Sequence, residues 1–429
     1  MRTGAIFLIL ALLSALLLSA CTQATDPTGT DPPIDTPDPS LHNATERGVK
    51  TAILDFEADI WDDPETVDRY ARTDVLILGA ERLWGESSDP NAVAKLRAAN
   101  PDLKILAYVR SKHIPLIYSE KYPNRNRNQY PYNLYDVTRP YWSFTTTGDT
   151  LSDFPEVVVL NTLDPACRQA LIETYTTEHL ASSNRVDGFY WDYFSLTLWI
   201  PDVVRDYMDG EPDLDGDGIV HFDDEDELAA FQLAQELIIE GVRNRLGVNF
   251  IQIFNGSRAH RDSTFAALGD GMFYEHFPTL SFHGGPNMEN ALGLQQYNNL
   301  FTARTWPRSR NGGPWLILSA KSRYTYTDDQ GERINLNLGD INRAVALLTD
   351  CTSIYHFDGK YIYGWPDVDL KLGKALGGVV FDDRTITRQF ERGQVSITMT
   401  TGDPPIPFNY EIVQDDEVVQ SLAYPTHFP

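Results

Sequence analysis

The stretch Val186-Asp187-Gly188-Phe189-Tyr190-Trp191-Asp192 (VDGFYWD) decides how this chain is read. From Gly188 it runs apolar and aromatic without helical spacing, and it closes on a carboxylate. A short run apolar on both alternating faces predicts a strand buried on both sides, the condition of parallel sheets. Working outward, similar runs occur at Ala52–Phe56 (AILDF), Val75–Leu78 (VLIL), Ile105–Val109 (ILAYV), Phe250–Phe254 (FIQIF), Gly271–Glu275 (GMFYE), Trp315–Ser319 (WLILS) and Ser353–His356 (SIYH). Strands of this kind separated by helical stretches predict an α/β chain, and eight of them predict closure into a (β/α)8 TIM barrel over residues 46–377.

Helix starts agree with that alternation. Asp63-Pro64, Asp89-Pro90 and Asp164-Pro165 each set a capping carboxylate before a proline suited to the first helical position. AVAKLRAAN follows Asp89 and Pro90 closely and stops at Asn100-Pro101. Leu228, Phe231, Ala234, Ile238 and Val242 keep three- and four-residue spacing, the mark of one buried helical face. Beyond Gly378 the period changes to two: Val395, Ile397 and Met399 alternate with polar residues, and Pro404-Pro405 precedes FNYEIV. This predicts a small antiparallel β-domain over 378–429.

At the other end, Arg2 and the apolar run Ile6 to Leu18 are too short to span a bilayer and read as a signal segment. It ends in Leu18-Ser19-Ala20-Cys21, which resembles the lipobox of bacterial lipoproteins. The resemblance implies residues 1–21 as signal and lipobox, lipidation of Cys21, and a cell-envelope location. Thr22 after the cysteine favours the outer membrane or cell surface. Residues 22–45 are rich in Thr, Pro and Asp, cannot bury enough surface to fold, and are expected to form a disordered tether. The formal charge of -26 excludes a nucleic-acid partner, which needs a basic surface. The remaining cysteines, Cys167 and Cys351, are not expected to pair, and a monomer is expected.

In a parallel barrel the working residues gather where strands end. The strand-end polar residues are Asp55, Tyr108 with Arg110, Asp192, Asn255, Glu275, Ser319 with Lys321, and His356 with Asp358. Asp192 and Glu275 stand apart, because each carboxylate is flanked by aromatic rings. Such surroundings can raise the pKa of a general acid, and a second carboxylate can serve as nucleophile or base at an acetal. Asp55, Tyr108, Arg110, Asn255 and Trp365 are candidates for holding sugar hydroxyls or faces. Trp84, Trp142 and Trp199 are either stacking platforms or core anchors.

Together LRAANPDLKILAYV, VVVLNTLDPACRQAL and VDGFYWD resemble a hypothetical glycosyl-hydrolase family of TIM barrels, whose relatives include the endo-α-1,4-polygalactosaminidases. FNG, FYEHF, the tract from SIYHFDGKYIYGW to DLKLG, and RQFERG extend the resemblance over most of residues 50–415. It implies Asp192 and Glu275 as the catalytic pair, with Asp192 as the nucleophile of a retaining reaction.

One segment departs from that family. Asp213, Asp215, Asp217 and Asp224 occupy positions 1, 3, 5 and 12 of an EF-hand-type loop, with Gly218 at 6, Ile219 at 7 and Val220 at 8. The spacing predicts a structural Ca²⁺ held by the four carboxylates and the Ile219 carbonyl in an insertion at 213–224. Asp rather than Glu at position 12 is closer to a dockerin loop than to a calmodulin loop. No organic cofactor is expected. The function implied is a lipid-anchored enzyme cleaving an extracellular or cell-envelope polysaccharide. The alternatives are a non-catalytic glycan-binding protein on the same barrel and a calcium-stabilised envelope scaffold.

Overall fold

The computed structural model describes residues 48–55, 63–85, 88–115, 130, 132–154, 157–195, 198, 208–256, 267–275, 315–319, 323–327, 333–354, 370–382, 385–399 and 408–422. The signal run, Cys21, the tether, Trp199, Lys321, His356, Asp358 and Trp365 lie outside them. Among the described residues no helix is long and apolar enough to cross a membrane.

Eight parallel strands close into a barrel. In chain order they are β1 (Lys50–Asp55), β2 (Val75–Gly79), β3 (Lys104–Arg110), β4 (Gly188–Asp192), β5 (Ile251–Asn255), β6 (Gly271–Tyr274), β7 (Trp315–Ser319) and β8 (Thr352–Ile354). Each pairs with its sequential neighbours, and β8 returns to β1. Every strand foreseen from the apolar runs is present, with ends moved by a residue or two. Strand alternation sorts the residues into two sets. Ala52, Leu54, Val75, Ile77, Leu106, Tyr190, Ile251, Ile253, Phe273, Trp315, Ile317 and Ile354 fill the barrel. Ile53, Leu76, Leu78, Phe189, Trp191, Phe254, Met272 and Leu318 face the surrounding helices.

Those helices include α1 (Pro64–Ala71), α2 (Ala92–Ala99), α3 (Pro165–Ala181), α4 (Glu225–Leu246) and α5 (Leu338–Thr349). Asp63 caps α1 by accepting from the Glu65 and Thr66 amides, and Asp164 caps α3 through the Ala166 amide. Asp89 departs from expectation: α2 starts after Asn91, which makes no side-chain cap. The Asp89 carboxylate accepts from the Asn91 amide and pairs with Lys95 at 2.6 Å, so it forms a turn ahead of the helix. The buried face of α4 runs Glu227, Phe231, Ala234, Ile238 and Val242. A carboxylate thus takes the inward place that Leu228 was expected to hold.

The C-terminal strands β9 (Val380–Asp382), β10 (Thr385–Phe390), β11 (Gly393–Met399), β12 (Phe408–Gln414) and β13 (Glu417–Leu422) form one antiparallel sheet. Val395, Ile397 and Ile412 are its buried face. Arg388 fastens the sheet to the end of α5, donating to the Leu347 carbonyl at 2.9 Å and to Asp350 at 2.5 Å. No disulfide joins Cys167 and Cys351, and both are buried.

Candidate active site

Parallel strands put all their C-terminal ends on one face, and alternation then decides which end residues look inward. Arg110 and Tyr108 share the parity of Leu106, Asp192 that of Tyr190, Asn255 that of Ile253, and Glu275 that of Phe273, all barrel-filling residues. Asp55 has the parity of Ile53, which faces the helices. It is accordingly taken by α1, where the Tyr70 hydroxyl donates to it, and it does not join the others.

The inward residues form one hydrogen-bonded chain. Arg110 Nε donates to the Tyr108 hydroxyl at 3.1 Å, and that hydroxyl donates to Asp192 Oδ2. Asn255 Nδ2 donates both to Asp192 Oδ1 at 2.7 Å and to Glu275 Oε2 at 3.1 Å. One nitrogen touching both acids holds those two oxygens within about 6 Å of each other. The opposite amide orientation would aim an acceptor at two carboxylates, so the nitrogen is the group that fits there.

Asp192 is 7% exposed, whereas Glu275 just beyond β6 is exposed. Burial, and after it the charge of Glu275, raises the Asp192 pKa to about 6, against the opposing pull of Tyr108, Arg110 and Asn255. Burial keeps the Tyr108 phenol well above its usual range, so it remains a donor. The buried acid therefore receives donors on both oxygens, while the outer acid is open to solvent.

The residue after Asp192 is strained. Tyr193 has φ 52°, a left-handed conformation that costs a non-glycine residue about 1 kcal/mol or more. Its ring packs on His113 at 4.7 Å and Phe154 at 5.9 Å. Beneath it Asp153 pairs with Lys112 at 3.0 Å and His113 at 2.9 Å, all three fully buried. Burial alone would raise Asp153, but His113 and Lys112 outweigh it and hold the carboxyl far below its usual range. The loop after β5 closes in from the other side. Phe194 donates its amide to the Asn255 carbonyl at 2.7 Å, and a Cβ on Gly256 would lie 1.2 Å from the Phe194 oxygen. Only glycine permits that approach.

Glu81 and Tyr193 were not singled out from sequence. Glu81 lies in the short helix Ala80–Trp84 directly after β2, and reading two residues past each strand end would have found it. It lines a small cleft, open to solvent, together with Tyr108, Arg110, His113, Tyr130 and Tyr135. Neither Asp192 nor Glu275 lines that cleft, which shares only the Tyr108–Arg110 wall with the acid pair. Trp84 is a core anchor, packed edge-on against Tyr130 and Phe189, and Trp142 packs edge-on against Tyr135.

A family model described as hypothetical glycosyl hydrolase family 15 matches residues 97–394. The chain belongs to hypothetical glycosyl hydrolase family 15. Membership puts it among the glycosidases, and the barrel is the one that the resemblance implied. No curated protein matches it. Among solved structures it is similar to the glycoside hydrolase domain of PelA from Pseudomonas aeruginosa, at 10% identity over 71% of this chain and 94% of that one, with a TM-score of 0.39. It is also similar to Ega3 of Aspergillus fumigatus, solved with galactosamine, at 11% identity, 64% and 92% coverage and a TM-score of 0.31. The GH36 α-galactosidase AgaA of Geobacillus stearothermophilus, solved with 1-deoxygalactonojirimycin, gives 10% identity, 88% and 54% coverage and a TM-score of 0.44.

In this member of the hypothetical family the acidic loop follows β4 on the same face as Asp192. Carboxylate oxygens of Asp213, Asp215 and Asp217 lie within 4.8 Å of one another. Asp224 is outside that group: its Oδ1 accepts from the Asp226 and Glu227 amides and caps α4. The Ile219 side chain is exposed, and its amide donates to Asp217. Glu227, not foreseen from the motif, reaches back so that its Oε1 accepts from the Leu214 amide at 3.2 Å.

Proposed function

We propose that this glycosidase cleaves an extracellular or cell-envelope polysaccharide by double displacement, with Asp192 as nucleophile and Glu275 as acid and base. The observation that carries the reading is the single Asn255 nitrogen shared by both carboxylates. A retaining pair stands about 5–5.5 Å apart, whereas an inverting pair needs about 6.5–9.5 Å for water. In the first step an Asp192 oxygen bonds to the anomeric carbon as the bond to the leaving oxygen breaks, and Glu275 protonates that oxygen. In the second, Glu275 takes a proton from water, the water oxygen bonds to the anomeric carbon, and the Asp192 ester bond breaks. Tyr108 and Asn255 orient the nucleophile throughout. A glycan-binding protein without turnover has no use for two bridged carboxylates of unequal exposure.

A chain of charge -26 attracts cationic polymers, which puts hexosamine polymers with free amines first among substrates. The test is a panel of hexosamine and hexose polymers, followed by ¹H NMR of the first-formed anomer on any polymer cleaved. Retention is expected. Inversion would remove Asp192 as nucleophile, and binding without cleavage across the panel would favour the binding-protein reading.

The same proposal places the enzyme at the envelope through Cys21, supported by the LSAC stretch after the apolar run. Cys21→Ser should move the protein from the membrane to the soluble fraction. Unchanged fractionation would remove the anchor.

A further inference from the structure

We infer that Asp213, Asp215, Asp217 and Glu227 form a Ca²⁺ site that locks the loop after β4 to the start of α4, with Glu227 in the closing position that the linear motif assigns to Asp224. This inference is independent of the catalytic reading. Three clustered aspartates would not carry it alone, since exposed acidic loops are common. The second observation is Glu227. It is 5% exposed, and its Oε2 has no hydrogen-bond partner. Its other oxygen is already engaged by the Leu214 amide, between Asp213 and Asp215 in the chain, with His221 Nδ1 3.1 Å away. The Leu214 amide thus holds the carboxylate against the loop, outside the group of oxygens that Asp213, Asp215 and Asp217 bring within 4.8 Å of one another, and a bound ion would draw it in.

A buried carboxylate oxygen left without a donor keeps its full desolvation penalty, and neighbouring anions add to that penalty. A cation bound among these oxygens removes both penalties together. Four carboxylates plus the Ile219 carbonyl supply an all-oxygen set for an ion that takes 6–8 such ligands in flexible geometry. Mg²⁺ demands a tighter octahedron and gives up its water reluctantly, so Ca²⁺ is the better fit. Asp224 is already spent on the α4 amides, which explains why the closing ligand comes from one helical turn later. The ion would also steady the segment around Ser143 and Phe144. Asp213 pairs with Phe144 across a two-residue sheet, and Ser143 donates to the Leu214 carbonyl.

The experiment is calorimetric titration of Ca²⁺, and separately Mg²⁺, into the chelator-stripped full chain, with melting curves alongside. One equivalent of Ca²⁺ should bind more tightly than about 1 mM and raise the melting temperature, with Mg²⁺ weaker. Glu227→Gln should weaken Ca²⁺ at least about tenfold, while Asp224→Asn should lower stability yet keep the affinity within about threefold. Asp217→Asn changes an exposed side chain, leaves folding intact, and should also weaken binding, which guards against a misfolded Glu227 variant. No Ca²⁺ binding by the stripped chain would overturn the site. Equal affinity in Glu227→Gln, or a larger loss in Asp224→Asn, would overturn the role of Glu227.

Discussion

Asp192→Asn is expected to lower kcat/KM by at least about a thousandfold, about 4 kcal/mol of barrier, because the amide cannot form the glycosyl ester. The amide keeps the shape and still accepts from one of Asn255 and Tyr108, so folding should survive. Glu275→Gln should fall as far on natural polymers but much less on glycosides whose leaving group needs no proton, since only protonation is lost in the first step. The wild-type acid limb should lie near pH 6, because Asp192 must be ionised to attack and its pKa is raised to about 6. Tyr108→Phe removes a donor that favours the ionised acid, so that limb should move to higher pH. Steady-state kinetics from pH 4 to 9 check all three. Full activity in Asp192→Asn would end the assignment.

Asp153→Ala is expected to cost about 3–5 kcal/mol of stability, the largest effect outside the acid pair, because Lys112 would be left charged and buried. Both side chains are at most 1% exposed and lie 3.0 Å apart. Removing both charges together, as Lys112→Met with Asp153→Leu, should recover much of the loss, since the penalty comes from the orphaned ammonium rather than from a missing attraction. Denaturant midpoints at constant slope measure this. A loss below about 1 kcal/mol for Asp153→Ala would mean that water reaches Lys112. The double variant should still lose turnover, as the His113 ring that supports the strained Tyr193 would no longer be tied to Asp153.

Much of this was legible in the residues. Barrel strands are local objects, each a few apolar residues bounded by polar ones, and their pattern is set by burial on both faces. The inward set Tyr108, Arg110, Asp192, Asn255 and Glu275 was also within reach, since strand parity is a property of the chain itself. The same parity, applied to Asp55, would have turned it toward α1. Gly256 could be marked as a tight spot, but not what it was tight against.

Contacts between segments far apart in the chain were not legible. That one Asn255 nitrogen touches both acids depends on the register of β4, β5 and β6, which no single strand encodes. The Lys112–Asp153 pair under Tyr193 joins two loops, and neither residue carries a local signal. Glu227 lies outside the twelve-residue motif, and only the helical turn between Asp224 and Glu227 brings its carboxylate back over Leu214. By itself, the sequence determined which residues are strands, which face they show and which acids stand at their ends, because periodicity and burial act within a few residues. The tertiary structure alone decided which of those acids share a proton donor, which is buried and which exposed, since distance and desolvation between remote side chains arise only when the barrel closes.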